Sequence, residues 1–331
     1  MATINLKGGV HLPHDSEQLQ DLSSDLSANI QIGTSCYLVN DFGKHNTIWC
    51  PNSSTNWSAY SIDADYWTRI NYLGSMDAVA ANQAFAYDYS ADKIYHVASG
   101  DHRYYDVALN TWVDGLTNGP TSFIYYIHLD SDLNASADDD TLIAMNSSAK
   151  PYAYTIAGDS WDSGLTQDSA MTTGYNFIWP YTLSHDFIYR SGRATNGTQG
   201  GLQIRKYEIS TDTWSAVADN IILTPQGSYG GYAEDCKVLT DGTYMYLVSE
   251  LNTNLFVTIY KIDLATVSDG DVIPAISKIK KIQGQSSSWS IPNYGYNPAF
   301  HYQRNGVDFI YLYDGNTTTG GTFAFHRTIL Y

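Results

Sequence analysis

Three observations predict an all-β fold for this chain, a six-bladed β-propeller with four-stranded antiparallel blades. A Tyr–Trp signature recurs at near-regular intervals. Strand-like apolar runs come in sets of four. No apolar run approaches the roughly 18 residues that a membrane-spanning helix requires.

The signature reads Y-x-[IV]-x-x-[DN]-x-W. Its copies are YSIDADYW (Tyr60–Trp67), YDVALNTW (Tyr105–Trp112), YTIAGDSW (Tyr154–Trp161) and YEISTDTW (Tyr207–Trp214). They start 45, 49 and 53 residues apart. A fifth copy, YKIDLATV, starts at Tyr260 with Val267 in place of Trp. The alternation of Tyr and Ile puts both on one sheet face. The following Asp or Asn suits a turn, because its side chain bonds local backbone. Trp then opens the next strand and packs back toward Tyr, which makes a hairpin.

The elements follow in order. ATINLKG, residues 2–8, reads as a strand that closes the last blade. Residues 14–28 are the one candidate helix: Asp15 and Gln18 suit a capping box, and Leu19, Leu22 and Leu26 share a face. A polar surface loop is the alternative. Blade 1 spans 33–74, with SCYLV (35–39) and TIW (47–49) ahead of its hairpin. Blade 2, at 80–118, has QAFAYDY and KIYHVASG; blade 3, at 121–167, has SFIYYIHL and TLIAM. Blade 4, at 174–219, has NFIWPYTL and FIYRSG; blade 5, at 232–284, has EDCKVL and YMYLVSE. Blade 6, at 295–331, has NPAFHYQ, FIYLYDG and a last run at 322–330, and lacks an outer strand. The N-terminal strand fills that place and hides an edge that would otherwise invite pairing.

This organisation resembles the kelch-type β-propellers. The apolar strand ending in Gly, followed by Tyr and Trp at fixed separation, carries the resemblance over nearly the whole chain. A regular Gly-Gly doublet after the second strand is missing: Gly200-Gly201, Gly230-Gly231 and Gly320-Gly321 fall elsewhere.

Composition excludes several partners. With 17 Lys+Arg against 34 Asp+Glu the chain carries a formal charge of −17. Nucleic-acid phosphates and anionic membranes call for clustered cations instead. The aromatic share, 14%, excludes a disordered acidic tail. No basic and apolar leader opens the sequence. Cys36, Cys50 and Cys236 are too few for a disulfide scaffold. If 35–50 is a hairpin, Cys36 and Cys50 face each other, as packed thiols or as a cross-strand disulfide. Six N-x-[ST] matches carry little weight in so Ser/Thr/Asn-rich a chain.

The repeat Tyr and Trp are expected in the core, because large aromatics supply core area. Loops between second and third strands, and between blades, share one propeller face. They include CPNSSTNW (50–57), SGDHRY (99–104), SGRATNGTQGG (191–201), DGNTTTGG (314–321), TPQGSYGGY (224–232) and SSSWSIPNYGYN (286–297). These loops gather Trp57, Tyr229, Tyr232, Trp289, Tyr294 and Tyr296 among small polar residues, a composition suited to binding glycan or protein. In DSDLNASADDD (130–140), Asp130, Asp132 and Asn134 alternate like the start of a calcium loop, without its Gly and bidentate Glu. A solvated hairpin tip is the plainer reading. No cofactor other than this calcium is expected. No H-E-x-x-H, G-x-S-x-G, P-loop or dinucleotide motif is present. Carboxylates for glycoside chemistry, such as Asp101 and Glu250, would have to converge from distant loops.

The function expected from these features is a non-catalytic structural and recognition protein. The expected setting is a virion, as a phage tail or capsid-decorating component, found outside the cell after lysis. Its partners would be other virion proteins or further copies of itself, and host-surface glycans, with no nucleic acid and no membrane insertion. The alternative is a secreted lectin-like module or a glycoside-active propeller enzyme.

Overall fold

The computed structural model describes residues 20–21, 39–41, 44–53, 56–74, 83–98, 100–119, 123–129, 141–146, 150–169, 176–178, 187–193, 201–224, 237–240, 242–251, 256–280, 299–314 and 324–330. Among them every regular element is a strand. The first sheet runs β2 (Val39–Asn40), β3 (Thr47–Ser53), β4 (Asn56–Ser61), β5 (Tyr66–Asn71). The second runs β6 (Gln83–Asp88), β7 (Lys93–Ala98), β8 (Asp101–Asp106), β9 (Thr111–Val113). The third runs β10 (Phe123–Leu129), β11 (Thr141–Asn146), β12 (Pro151–Thr155), β13 (Ser160–Asp162).

The next eight strands form one sheet. Its halves are β14 (Asn176–Ile178), β15 (Phe187–Arg193), β16 (Gly201–Glu208), β17 (Thr213–Thr224) and β18 (Lys237–Thr240), β19 (Tyr244–Leu251), β20 (Phe256–Asp263), β21 (Val272–Lys280). The last sheet holds β22 (Ala299–Arg304), β23 (Val307–Asp314) and β24 (Ala324–Leu330), with β1 (Gln20–Asp21) as its outer strand. Neighbours within each four-strand set are antiparallel, the connectivity of consecutive hairpins. Inner strands meet in sequence: β6 lies against β2 and β10, and β18 against β14 and β22. The chain is an all-β propeller of antiparallel sheets.

Two expectations are corrected. Six separate sheets were expected; four stand alone and the fourth and fifth units are fused. The cause is β17, twelve residues long. It continues past its own hairpin and pairs in parallel with β21 through Ile222–Val272, Leu223–Ile273 and Thr224–Pro274. The candidate helix at 14–28 is also corrected, because Gln20 and Asp21 are extended and pair with Arg327 and His326 of β24. The outer strand of the last sheet thus comes from the N-terminal part of the chain. The segment 2–8 proposed for that place lies outside the described residues.

The ring meets itself at the first and last sheets. Tyr60 of β4 packs on Tyr311 of β23, with ring centroids 6.0 Å apart. Arg304 Nη1 donates to the Ile62 carbonyl at 3.5 Å.

The core lies between sheets. Trp49, Trp57, Tyr72, Phe85, Tyr105 and Trp112 join the first two sheets. Tyr95 and Val97 meet Leu142, Ala144 and Tyr154 between the second and third. Ile143 and Met145 meet Ile188 and Tyr207 across the next boundary. Strands covered on both faces read as near-continuous apolar runs, as Ile94–Ala98 does with His96 its one polar member. The repeat tyrosines Tyr60, Tyr105, Tyr154 and Tyr207 are all buried. Each such aromatic contributes roughly 1.5–3 kcal/mol by burial.

Candidate functional site

The repeated signature builds one local structure. In all four copies Tyr and Trp are direct cross-strand partners: Tyr60–Trp67, Tyr105–Trp112, Tyr154–Trp161 and Tyr207–Trp214. The last turn residue, Asp65, Asn110, Asp159 or Asp212, has φ between 43° and 56°. Asp and Asn tolerate that left-handed conformation better than other side-chain-bearing residues. The Tyr hydroxyl then donates to the same side chain. Tyr105 reaches Asn110, Tyr154 reaches Asp159 and Tyr207 reaches Asp212, each at 2.7 Å, and Tyr60 bonds Asp65 likewise.

The turn residue also grips the preceding unit. Asp159 Oδ1 accepts the Thr117 amide at 2.8 Å, and Trp161 Nε1 donates to the Thr117 carbonyl at 3.0 Å. Asp212 repeats this on Thr166, accepting its amide at 2.7 Å and its hydroxyl at 2.8 Å, while Trp214 Nε1 donates to its carbonyl at 2.9 Å. Asn110 inverts the polarity and donates to the Asn71 carbonyl at 2.9 Å. Burial opposes ionisation of Asp159 and Asp212, but the Thr117 and Thr166 donors and the two tyrosines outweigh it. Both carboxyls end below their ordinary value. The signature is therefore a joint between units.

The fifth copy is corrected. Tyr260 lies mid-strand and pairs with Ala275, and the turn begins only at Leu264. The joint there is made by Asp269, which accepts the Asp219 amide, and by the parallel β17–β21 pairing. Backbone pairing stands where the Trp is missing.

Sequence reasoning missed the gripped residues. Thr117, Thr166 and Asp219 each lie five places after a signature Trp, a Trp-x-x-x-x-Thr/Asp spacing present in the sequence. It also missed the first-hairpin aspartates. Asp41 accepts the Thr47 amide at 2.6 Å and Trp49 Nε1 at 2.8 Å, and Asp88 accepts the Ser90 and Ala91 amides at 2.9 Å. Burial pushes the Asp41 carboxyl above its ordinary value despite those donors.

A third device lies inside the fourth unit. Asp168, in the connection after β13, is buried and bridges Arg190 of β15 at 3.1 Å and Arg205 of β16 at 3.3 Å. Burial holds the Arg190 value below its ordinary one, with the Asp168 charge opposing that shift in part. The two arginines are cross-strand partners, so the carboxylate neutralises a like-charge pair.

Trp57 is a correction. Expected on an open recognition loop, it lies within β4, opposite Pro51 and Ile70, and is fully buried. Strands β3 and β4 extend so far that positions 54–55 alone separate them. Its indole stacks on Trp112 at 5.8 Å. The 99–104 loop is likewise short, since β8 begins at Asp101; its His102 is buried against Tyr154. Tyr229, Tyr232, Trp289, Tyr294 and Tyr296 lie outside the described residues, as do Asp130, Asp132, Asn134, Cys36 and Cys236. Cys50 is buried in β3. Asp101 and Glu250 stand on different sheets, in β8 and β19. Among the described residues no three His, Cys, Asp or Glu side chains gather as metal ligands.

No family model and no curated protein matches this sequence. The kelch resemblance therefore rests on the sequence pattern alone. Solved structures do match. The WD40 repeats of RRP9 align with 94% of this chain and 100% of their own, at 8% identity and a TM-score of 0.53. U3-55K aligns with 91% and 100%, at 8% identity and a TM-score of 0.51. An auxiliary nutrient binding protein from Bacteroides thetaiotaomicron covers 90% of this chain at a TM-score of 0.46. At 8% identity the likeness to RRP9 and U3-55K is one of fold.

Proposed function

We propose that this chain is a rigid recognition and assembly scaffold: six radial units, counting each half of the fused sheet as one, that hold binding loops on one face. One observation carries the reading. The polar atoms of the repeated signature are engaged in joining units, with Asp159 and Asp212 each bonded to both a Tyr hydroxyl and a neighbouring backbone. Such residues stiffen a disc and leave recognition to the connections between units, where function sits in repeat scaffolds.

The setting we propose is a virion, as a kelch-like tail or capsid-decorating component that contacts other virion proteins or further copies of itself. The Ser/Thr/Asn/Tyr-rich connections and the charge of −17 support exposure outside the cell. Tyr229, Tyr232, Trp289, Tyr294 and Tyr296 are the residues proposed to meet host glycans. Mass spectrometry of purified particles from lysates of the producing cells tests the setting. The chain should copurify at fixed stoichiometry; its recovery only as free protein would overturn the virion reading. A glycan array, run with and without calcium, tests the loops. Binding lost on Trp289→Ala and Tyr294→Ala supports them, and an array without hits removes the glycan part.

A further inference from the structure

We propose that Asn305–Gly306 is a site of spontaneous covalent modification at the seam where the ring closes. The two residues form the whole connection between β22 and β23, since Arg304 and Val307 are register partners. Asn305 has φ 52° and Gly306 φ 76°, the two positive values of a type I′ turn. Both are exposed. Apart from its two chain neighbours, no described residue comes within 4 Å of where a Gly306 Cβ would stand, so the turn is uncrowded on that side.

The chemistry needs only water. The Gly306 amide nitrogen attacks Asn305 Cγ and a C–N bond forms. The side-chain amide leaves as ammonia, carrying the proton lost from the Gly306 nitrogen, and a cyclic imide remains. Water opens that ring at either carbonyl. One opening restores the backbone with an aspartate; the other routes the backbone through the side chain as isoaspartate.

A second Asn-Gly pair, with Asn118 exposed and Gly119 half-buried, supplies an internal contrast. At Asn118–Gly119 the Gly119 amide donates to the Gly100 carbonyl at 2.8 Å. A Cβ on Gly119 would stand 3.0 Å from the Trp161 ring, so the surroundings are closed. The nucleophile there is held in a backbone hydrogen bond beside packed side chains, whereas Gly306 stands in an exposed turn.

The location gives the reaction a consequence. Arg304 reaches from this turn to the first sheet, with Nη1 on the Ile62 carbonyl at 3.5 Å and Nη2 3.9 Å from Asp63. A new carboxylate beside Arg304 competes for its guanidinium. Isoaspartate adds a methylene to the backbone and breaks the two-residue turn that aims Arg304 at its partner.

The test uses the full chain. Folded protein is held in mildly alkaline buffer and sampled over time, with a parallel sample in urea. Peptide mass spectrometry follows conversion at Asn305 and Asn118, and enzymatic methylation reports isoaspartate. Asn305 should convert roughly tenfold faster than Asn118 in the folded protein, because a hydrogen bond must open before Gly119 reacts. In urea the two rates should converge. Equal rates in the folded protein, faster conversion at Asn118, or a gap that persists in urea would each overturn the proposal. Gly306→Ala should slow Asn305; since φ 76° strains Ala, the wild-type comparison carries the decision.

Discussion

At the residue scale, one aspartate does three jobs in the joint between the third and fourth units. Asp212 occupies a left-handed turn position, accepts the Tyr207 hydroxyl and binds the Thr166 amide and hydroxyl. Asp212→Ala removes both acceptor oxygens, and with them three hydrogen bonds, and leaves Ala at φ 51°. Urea unfolding should show a loss of about 2–4 kcal/mol, with several bonds at roughly 1 kcal/mol each plus backbone strain. Asp212→Asn should lose less, since Asn110 shows that an amide still joins units. An unchanged midpoint in Asp212→Ala would contradict the joint. Asp168 differs in kind. Removing it strands two arginines that shared one carboxylate, so Asp168→Ala should cost about 3–5 kcal/mol in the same measurement. The sequence displayed the turn aspartates because Tyr and Asp are five residues apart. It did not display Asp168 as a partner of Arg190 and Arg205, which lie 22 and 37 places away.

At the element scale, hairpins were legible and their lengths were not. The four Tyr–Trp hairpins form as the spacing predicts, because turn chemistry acts within eight residues. Trp57 was misplaced because Ser and Asn in CPNSSTNW read as loop, whereas β3 and β4 run almost to the tip. Pairing on both sides, and the aromatic cluster beneath, override the low strand preference of Asn and Pro. Strand β17 tells the same story at greater length. Its residues after Asp219 lie beyond the bounds expected for the fourth blade, yet they continue the sheet into β21. The Ile222 amide donates to the Asp271 carbonyl at 2.8 Å. Ile222→Pro removes that donor, with an expected cost of roughly 3 kcal/mol. Amide exchange should then quicken at Val272 and Ile273 while β9 and β13 keep their protection. Unchanged exchange at β21 would show that the fused sheet does not depend on this pairing.

At the scale of the whole molecule, closure is the property that no single unit holds. Strand β1 pairs through two residues and brings together chain positions about three hundred apart. Deleting residues 1–21 should uncover the edge of β24, and light scattering should show association that grows with protein concentration. A deletion variant that stays monomeric would mean the edge is protected by other means.

Acid response follows from two buried histidines. Burial lowers His96 from 6.5 to about 3 and His102 from 6.5 to about 4. The unfolded chain binds protons at these positions below pH 6.5, before the folded chain does. Stability should therefore be full above 6.5 and fall as pH drops toward those folded values, by about 1.4 kcal/mol per pH unit for each histidine. Asp159 and Asp212 add to the loss lower down. Their carboxyls lie below the ordinary 3.8, so their contribution is complete above that value and disappears as pH falls through the depressed one. His96→Phe should flatten the slope between pH 6.5 and 4 in thermal melts; an unaltered slope would exclude His96 as its source.

The sequence by itself determined the all-β class, the four recurring hairpins and the burial of their tyrosines, whereas Trp161 and Trp214 are half-buried. Those features depend on side-chain alternation and on turn bonds between near neighbours, both written in short stretches of chain. Tertiary structure alone decided which backbone each turn aspartate grips, that two units fuse through parallel strands, that Trp57 faces inward, and that Gln20–Asp21 closes the last sheet. Those outcomes depend on the distance and angle between units, which arise only when sheets some fifty residues apart in the chain pack around a common centre.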